Sequence, residues 1–284
     1  MSASLSTVSS SSSSPRPLAV VTGAGSGIGL GLTRALLARG IEVVAIDLDL
    51  AALASEGTRL HRHRFDVRDA TAMADLAASF EGRPASHVFA NAGIGGVPGD
   101  VLTVGDAAWQ WAWEVNVTSV LRTLRIWWQQ LCAGGGSAVA TVSSAALQSF
   151  PGAGPYRATK AALLAALEGL YYQSVGSGVS VHALCPGMVR SEIVDLQRYA
   201  DFSGIAPSRP ATPNPFAAHV KAAMQTAEPA SDFAERVLTC LDGGLEQRPP
   251  FYWFTHPETL SWIEGRQRAI ADGRRPFADF GEPA

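Results

Sequence analysis

Residues 18–29 read LAVVTGAGSGIG, a short apolar run followed by a turn with glycines at positions 23, 25, 27 and 29. The apolar run is typical of a buried strand, and the next stretch, LGLTRALLARG, has the composition of a helix that ends at Gly40. Glycines between a strand and a helix let backbone N–H groups approach a pyrophosphate, and the helix N-terminus favours its negative charge. The pattern therefore predicts a nucleotide site in a βαβ unit.

The second apolar run, Glu42–Ile46, ends at Asp47. In a nucleotide-binding βαβ unit, an acid about 20 residues after the glycines accepts hydrogen bonds from the adenosine ribose hydroxyls. A carboxylate there repels a 2′-phosphate, so Asp47 favours NAD over NADP as the cofactor. The alternative is that Asp47 caps the following segment, DLAALASE. The two roles are compatible.

Strand-like and helix-like stretches alternate along the rest of the chain. Further strands are expected at Phe65–Val67 (the end of a third strand), 86–90, 137–142, 179–184 and 251–254. Such alternation implies a parallel sheet with helices on both faces. The predicted fold is α/β, a single-domain Rossmann-like doubly wound sheet.

Four segments divide the chain. The Ser-rich residues 1–17 carry one Arg and no acid, and we expect them to be disordered; a transit peptide is the alternative. Residues 18–256 form the predicted domain. Within it, the proline-rich residues 192–229 are expected to form a substrate-binding loop or lid. Residues 257–284 are expected to be a C-terminal tail.

The composition limits the partners. The chain has 284 residues, 47% of them hydrophobic, and a net charge of −3. That charge gives no reason to expect nucleic acid or an anionic membrane as partner. No apolar run reaches the roughly 18 residues of a membrane span. Three widely spaced cysteines fit a reducing compartment, so we expect a cytoplasmic protein without a disulfide framework or a metal site.

Tyr156 and Lys160 begin an alanine-rich apolar run. Residues i and i+4 share one face of a helix, so the phenol and the amine should point the same way. A nearby cation favours a phenolate, so Lys160 is expected to lower the pKa of Tyr156 and make it a usable base. An ordinary amphipathic helix is the alternative.

Three other stretches carry polar groups of interest. Asn91-Ala92-Gly93 opens a glycine-rich loop past a strand, where doubly wound folds bind ligands. Asn116 lies inside a predicted helix over 107–131, where Asn is a poor helix former; a hydrogen-bonded buried Asn is the ordinary alternative. The stretch His61-Arg62-His63-Arg64 is interpreted as a solvated strand edge in preference to a metal or anion site.

Residues 18–255 resemble the short-chain dehydrogenase/reductase family, in its compact single-domain branch. The motifs that carry this resemblance, in chain order, are Thr22-Gly-x-x-x-Gly27-x-Gly29, Asp66-Val67, Asn91-Ala92-Gly93, Asn116, Ser143-Ser144, Tyr156-x-x-x-Lys160 and Pro186-Gly187.

The resemblance implies a catalytic set. Tyr156 would be the general acid/base, and Lys160 would hold the nicotinamide ribose and tune Tyr156. Ser144 would orient the substrate oxygen, and Asn116 would kink its helix and position a water that relays protons from Lys160. The family usually has thirteen positions from the catalytic serine, the second of the pair, to the tyrosine; here Ser144 to Tyr156 is 12 and Ser143 to Tyr156 is 13. We prefer Ser144 because it keeps its place relative to the strand.

The resemblance also implies cofactor contacts. The pyrophosphate would lie on the glycine turn, the adenosine at Asp47, Asp66 and Val67, and the nicotinamide end beside the Pro186-Gly187 loop. The expected cofactor-binding residues are Gly23, Ser26, Gly27, Ile28, Gly29, Asp47, Asp66, Val67, Asn91, Ala92, Gly93, Tyr156, Lys160, Pro186, Gly187, Val189 and Ser191. Arg157, where small residues are common, would lie either beside the site or at a subunit contact.

The resulting expectation is an NAD-dependent oxidoreductase that interconverts a hydrophobic secondary alcohol and its ketone. The alternatives are an NADP-dependent carbonyl reductase and a catalytically silent NAD-binding regulator. The expected pocket wall is Ala146, Leu147, Phe150, Met188 and the 192–229 segment, with Tyr199, Phe202 and Phe216 as candidates. The apolar helices around Asn116 and after Tyr156 predict a homodimer or homotetramer.

Overall fold

The structure is a computed structural model. It describes residues 17–95, 101–148, 150, 152, 154–193, 195, 200–201, 203–204, 215–243 and 249–276. The strands are β1 Leu18–Thr22, β2 Glu42–Asp47, β3 Leu60–Arg64, β4 Ala85–Ala90, β5 Ser137–Thr141, β6 Ser180–Cys185 and β7 Tyr252–Phe254. The helices are α1 Gly27–Ala38, α2 Ala70–Ala78, α3 Asp106–Trp113, α4 Ser119–Ile126, α5 Trp128–Gly134, α6 Gly154–Gln173, α7 Pro215–Thr226, α8 Ala230–Asp242 and α9 Leu260–Ala271.

All seven strands pair in parallel, in the order β3-β2-β1-β4-β5-β6-β7. The chain fills one half of the sheet from β1 outward to β3 and then crosses to β4 for the other half. Loops that leave β1 and β4 therefore diverge at one point of the sheet, which is where doubly wound folds form a ligand crevice. The predicted fold is confirmed.

Helices cover both faces of the sheet, and the strands are buried accordingly. On one face, Val20 and Val88 pack in a core with Trp127 and Leu163; on the other, Phe89 and neighbouring strand residues pack against α1 and α8. Every residue of β1 is buried, which explains why its first four residues are all apolar rather than alternating with polar ones.

The predicted helix over 107–131 is interrupted. One π turn, Glu114–Thr118, separates α3 from α4, and a break at Trp127 separates α4 from α5. A π turn inserts one extra residue into the helix and commonly marks a functional site. Asn116 lies at its centre.

The basic stretch of β3 belongs to an edge strand. The His61 imidazole lies 2.6 Å from the Glu42 carboxylate, and the Arg62 and Arg64 guanidinium groups donate to carbonyls of the neighbouring loops. These contacts agree with the interpretation as a solvated edge.

The segment expected to be a tail contains α9, which follows a 3₁₀ turn at Pro257–Thr259. Among the described residues, none of the helices has both the length and the apolar composition needed to cross a bilayer.

Candidate active site

A cavity of about 530 Å³ opens at the carboxyl ends of the strands. Of the residues predicted to form the site, all but Gly29 and Asn116 line it. The cavity runs from Asp47 and Asp66 at one end, past the glycine turn, to Tyr156 and Met188 at the other. The structure therefore brings the predicted cofactor and catalytic residues into one space.

The glycine turn is shaped by close backbone contacts. A Cβ atom at Gly29 would lie 1.9 Å from the Gly23 carbonyl oxygen, so a larger residue does not fit there. Gly23 and Gly27 have φ of 67° and 49°, a region that side chains disfavour. Helix α1 starts at Gly27, and the first N–H groups of a helix have no partner within it. Turn and helix start together suit a pyrophosphate.

Asp47 holds this turn. Its Oδ2 accepts a hydrogen bond of 2.8 Å from the Gly25 N–H, and its Oδ1 accepts from the Asp49 N–H at 3.2 Å. The capping role considered for Asp47 belongs instead to Asp49, whose carboxylate accepts from the Ala51 N–H. Asp47 still lines the cavity, so its charge faces whatever occupies the adenosine end.

Asp66 and Val67 follow β3 at the same end. Burial disfavours the charged form of Asp66, but hydrogen bonds from Arg68 outweigh it and hold the pKa of the carboxyl below its usual value. Arg68 contacts both carboxylate oxygens at 2.8–3.1 Å. Arg68 was not among the predicted site residues, and its position two residues after Asp66 is the only signal for it.

Thr22 and Thr141 fix the floor of the cavity. The Thr22 hydroxyl accepts from the N–H groups of Asn91 and Ala92 at 3.0 and 3.1 Å. The Thr141 hydroxyl donates to the Asn91 side chain at 2.9 Å. These two threonines end β1 and β5, on either side of β4, so both reach the loop that leaves β4. Thr141 was missed because nothing in its local sequence indicates this contact.

Tyr156 and Lys160 lie on α6 with the phenol and the ammonium side by side. The Lys160 Nζ is 5.8 Å from the centre of the Tyr156 ring and donates to the Thr141 carbonyl oxygen at 2.7 Å. Lys160 is almost completely buried. The shared face predicted from the i, i+4 spacing is therefore present.

The serine beside Tyr156 is Ser143. Its hydroxyl lies close enough to the Tyr156 phenol to lower the pKa of that phenol, and its Oγ accepts from the Ala145 N–H at 3.1 Å. Ser144 starts a 3₁₀ turn, and its backbone N–H donates to the Pro186 carbonyl. Both serines line the cavity, but the geometry favours Ser143 over the expected Ser144 as the partner of Tyr156. The thirteen-residue spacing belongs to Ser143.

Burial dominates the protonation of this group. It raises the pKa of Tyr156, and Ser143 only partly opposes that. Burial also lowers the pKa of Lys160 to about 8 and raises the pKa of the neighbouring Cys185 thiol to about 12. The expected lowering of the Tyr156 pKa by Lys160 is therefore absent from the protein alone. Tyr156 keeps its proton at neutral pH.

Asn116 is fully buried behind the cavity wall. Its Oδ1 accepts from the Ile94 N–H at 2.8 Å, and its Nδ2 donates to the Ile94 carbonyl and the Thr159 hydroxyl at 2.9 and 3.0 Å. The side chain thus ties the loop after β4 to α6. The proton-relay role stays a prediction.

The outer wall differs from the expected one. Ala146 and Leu147 pack into the core, whereas Phe150 and Met188 line the cavity as expected. Tyr199 and Phe202 lie outside the described residues, as does the Phe216 side chain. The 192–229 segment contributes Ile193, Val220, Ala223 and Met224 to the wall, as expected. Further wall residues that the sequence did not indicate are Ala145, Gln148, Glu258, Thr259 and Trp262.

Arg157 contacts two residues of this wall, Gln148 and Phe150. Its guanidinium donates to the carbonyls of Gln148 and Phe150 and lies 4.7 Å from the centre of the Phe150 ring. Burial, together with Arg266 of α9, lowers its pKa. Of the two expected positions for Arg157, the structure shows the one beside the site.

Comparison with known proteins agrees with this geometry. The family described as "short chain dehydrogenase" matches residues 17–200. A galactitol 2-dehydrogenase (L-tagatose-forming) from Cereibacter sphaeroides is 33% identical over 226 residues, 74% of this chain and 87% of that protein. A (−)-trans-carveol dehydrogenase from Rhodococcus erythropolis is 30% identical over 51% of this chain and 53% of its own length.

Among solved structures, a short chain dehydrogenase/reductase from Burkholderia phymatum in complex with NAD superimposes with a TM-score of 0.82. It is 28% identical and covers 94% of this chain and 99% of its own. A structure from Burkholderia cenocepacia in complex with NADP, 24% identical, has a TM-score of 0.70 with 92% and 99% covered, and shows the same fold.

Proposed function

Because the chain belongs to the short-chain dehydrogenases, whose relatives include dehydrogenases of alcohols, we propose that it interconverts a hydrophobic secondary alcohol and its ketone with NAD. The observation that carries the proposal is that Tyr156, Ser143 and Lys160 share one cavity with the glycine turn and Asp47, with the Lys160 Nζ 5.8 Å from the centre of the Tyr156 ring.

Each residue of the predicted catalytic group has a separate role in the proposed reaction. The Tyr156 phenol donates its proton to a ketone oxygen, which leaves a phenolate, and in the reverse reaction the phenolate takes a proton from an alcohol. Ser143 holds Tyr156 and the substrate oxygen in line. Lys160 would bind the ribose next to the nicotinamide. Asn116 holds the loop after β4 in place through its hydrogen bonds to Ile94. A bound nicotinamide supplies or accepts the hydride.

The glycine turn, with Ser26 and Ile28, would hold the pyrophosphate. Asp66, Val67 and the loop Asn91-Ala92-Gly93 would border the adenosine and the floor, and Pro186, Gly187, Val189 and Ser191 would border the nicotinamide. Residues in all three regions line the cavity. A Cβ at Gly29 would clash with the Gly23 carbonyl, so glycine at this position allows the turn itself to close.

NAD is favoured over NADP by the Asp47 carboxylate and by Leu48, the apolar neighbour that lines the cavity with it. A 2′-phosphate would meet a negative charge there. An NADP-dependent carbonyl reductase is the rival function, and the ratio of kcat/KM with the two cofactors distinguishes them.

An apolar substrate is favoured by the wall of Phe150, Met188, Ile193 and Trp262. The galactitol relative, a polyol enzyme by name, points the other way. A panel that contains aryl alcohols, terpene alcohols and polyols separates the two, and equal turnover of all three would contradict the proposal.

The decisive experiment follows absorbance at 340 nm with NAD and this panel, for wild type and Tyr156→Phe. Tyr172→Phe is a matched control, because Tyr172 lies on the same helix and is 76% exposed. We expect NADH from wild type and the control, and loss of turnover with retained NAD binding in Tyr156→Phe. NAD binding by wild type without turnover of any alcohol would favour the silent regulator.

We further propose that the chain forms a homodimer or homotetramer. A groove between the helix pair α3–α4 and α6 has an apolar lining and two arginines, and Trp113 in it is 46% exposed. Its lining residues are Trp113, Val117, Thr118, Leu121, Arg122, Arg125, Ala162 and Ala166. Exposed apolar surface of this kind marks a contact site. A cytoplasmic location stays a prediction.

A further inference from the structure

His256 lies just past β7, against the loop that leaves β6. Its Nδ1 accepts a hydrogen bond of 3.1 Å from the Gly187 N–H. The contact is close: a Cβ atom at Gly187 would lie 2.9 Å from the Cβ and Cγ of His256. The Gly187 backbone therefore packs directly against the His256 side chain, in the loop that would border the nicotinamide.

The donor in this contact fixes the role of the His256 Nδ1. A peptide N–H can only donate, so Nδ1 is the acceptor of this hydrogen bond. The Thr255 hydroxyl lies 2.9 Å from the same Nδ1. Nε2 is buried and lies 3.6 Å from Glu228 Oε2, too far for a good hydrogen bond.

Glu228 secures the other side of the same loop. Its backbone pairs with Val189 in an isolated parallel bridge, and its carbonyl accepts from the Arg190 N–H at 2.9 Å. Arg236 binds the Glu228 carboxylate and also donates to the Thr255 carbonyl at 2.9 Å. The imidazole stacks on Phe233 of α8, with ring centres 6.0 Å apart.

We propose that His256 is a positioning residue for the nicotinamide, acting through the Gly187 peptide. The inference rests on the proposed function. His256 binds the first residue of the segment 187–190, and Glu228 pairs with the segment at its other end. Arg236 links the two contacts, because it binds both the Glu228 carboxylate and the carbonyl of Thr255, the neighbour of His256. Loss of the His256 acceptor leaves the Gly187 N–H without its partner, so the loop drifts from the position that the nicotinamide needs.

The test compares NAD with ADP-ribose, which lacks the nicotinamide. Both dissociation constants are measured by quenching of tryptophan fluorescence, since Trp111 and Trp262 line the cavity. In His256→Leu we expect NAD to bind about tenfold more weakly while ADP-ribose binds as to wild type. A purely structural role would weaken both ligands alike.

Two further variants distinguish the loss of the hydrogen-bond acceptor from the loss of the imidazole ring's volume. The side-chain oxygen of His256→Asn can occupy the place of Nδ1, whereas that of His256→Gln reaches towards Nε2. We expect Asn to restore NAD affinity and Gln to leave it weak. If His256→Leu fails to fold, this pair decides the question.

Equal losses for NAD and ADP-ribose, or equal behaviour of the Asn and Gln variants, would overturn the inference alone. Failure of the wild type to bind NAD would overturn the proposed cofactor and this inference with it.

Discussion

At the scale of single residues, Ser143 and Ser144 stand side by side after β5, and one of them contacts Tyr156. We expect Ser143→Ala to lower kcat by about 10²-fold or more, because Tyr156 and the substrate oxygen lose their shared partner. Ser144→Ala is the matched control, and we expect it to retain most of the activity. Steady-state kinetics with a substrate from the panel measures both, and a larger loss in Ser144→Ala would reverse the assignment.

Asp47 offers a second test at this scale. Asp47→Ser removes the charge but keeps an acceptor for the Gly25 N–H, which Asp47 now binds at 2.8 Å. We expect the ratio of kcat/KM for NADP to that for NAD to rise about tenfold or more, since the repulsion of the 2′-phosphate is gone. Asp49→Ser, two residues on, should leave the ratio unchanged.

The serine pair also shows how far sequence reasoning reaches at single residues. Both serines lie within one residue of the expected spacing to Tyr156, and the direction that each side chain takes after the strand end depends on the turn that follows. Tyr156 and Lys160 were predictable because a helix fixes the relative direction of i and i+4. No such rule covers an irregular turn.

At the scale of elements, strand β4 carries His87, whose protonation destabilises the folded protein. Burial lowers the pKa of His87 from 6.5 to about 4. Between these values the unfolded chain binds a proton that the folded one does not, so the free energy of unfolding falls as pH falls from 6.5 to about 4. The full effect is at most about 3 kcal/mol.

We expect His87→Phe to flatten this part of the stability profile, because Phe keeps a ring against Phe89, on which His87 stacks at 5.7 Å, and cannot titrate. Urea unfolding at several pH values between 4 and 7 measures the slope. An identical slope in wild type and variant would contradict the assignment.

The elements themselves were mostly predictable. Apart from the edge strand β3, the strands are short, mainly apolar runs bounded by glycine or polar residues, and burial on both faces favours the strand conformation for such runs. The π turn at Glu114–Thr118 was not predictable, since the inserted residue is held by contacts from Asn116 to Ile94 and Thr159, both distant in sequence. Helix α9 was missed for a similar reason: Ile263 is buried in the fold, and the local sequence gives no partner for it.

At the scale of the whole molecule, the groove beside α6 should meet another subunit. Ala166→Arg places a charge on its apolar lining, so we expect the assembly to shift to a smaller species. Ala271→Arg, on an exposed position of α9, is the control and should leave the mass unchanged. Light scattering measures both, and a wild type that is already monomeric would refute the proposed oligomer.

The fold was predictable at this scale because successive βαβ units repeat one local pattern. The outer wall of the cavity was predictable only in part: the 192–229 segment that supplies Met224 was expected, whereas Gln148 and Trp262 come from two other parts of the chain. Ala146 and Leu147 illustrate the difference: they have suitable chemistry for a wall, but the turn after Ser144 directs them into the core.

The division of the cavity has a consequence for how such a chain changes over generations. The dinucleotide end is built largely from backbone turns before residue 100, which tolerate few replacements, as the crowding at Gly29 shows. Much of the opposite wall comes from side chains after residue 186, including Thr259 and Trp262. A lineage can therefore acquire a new substrate by altering wall side chains in the last third of its gene, such as Trp262, while inheriting the glycine turn unaltered.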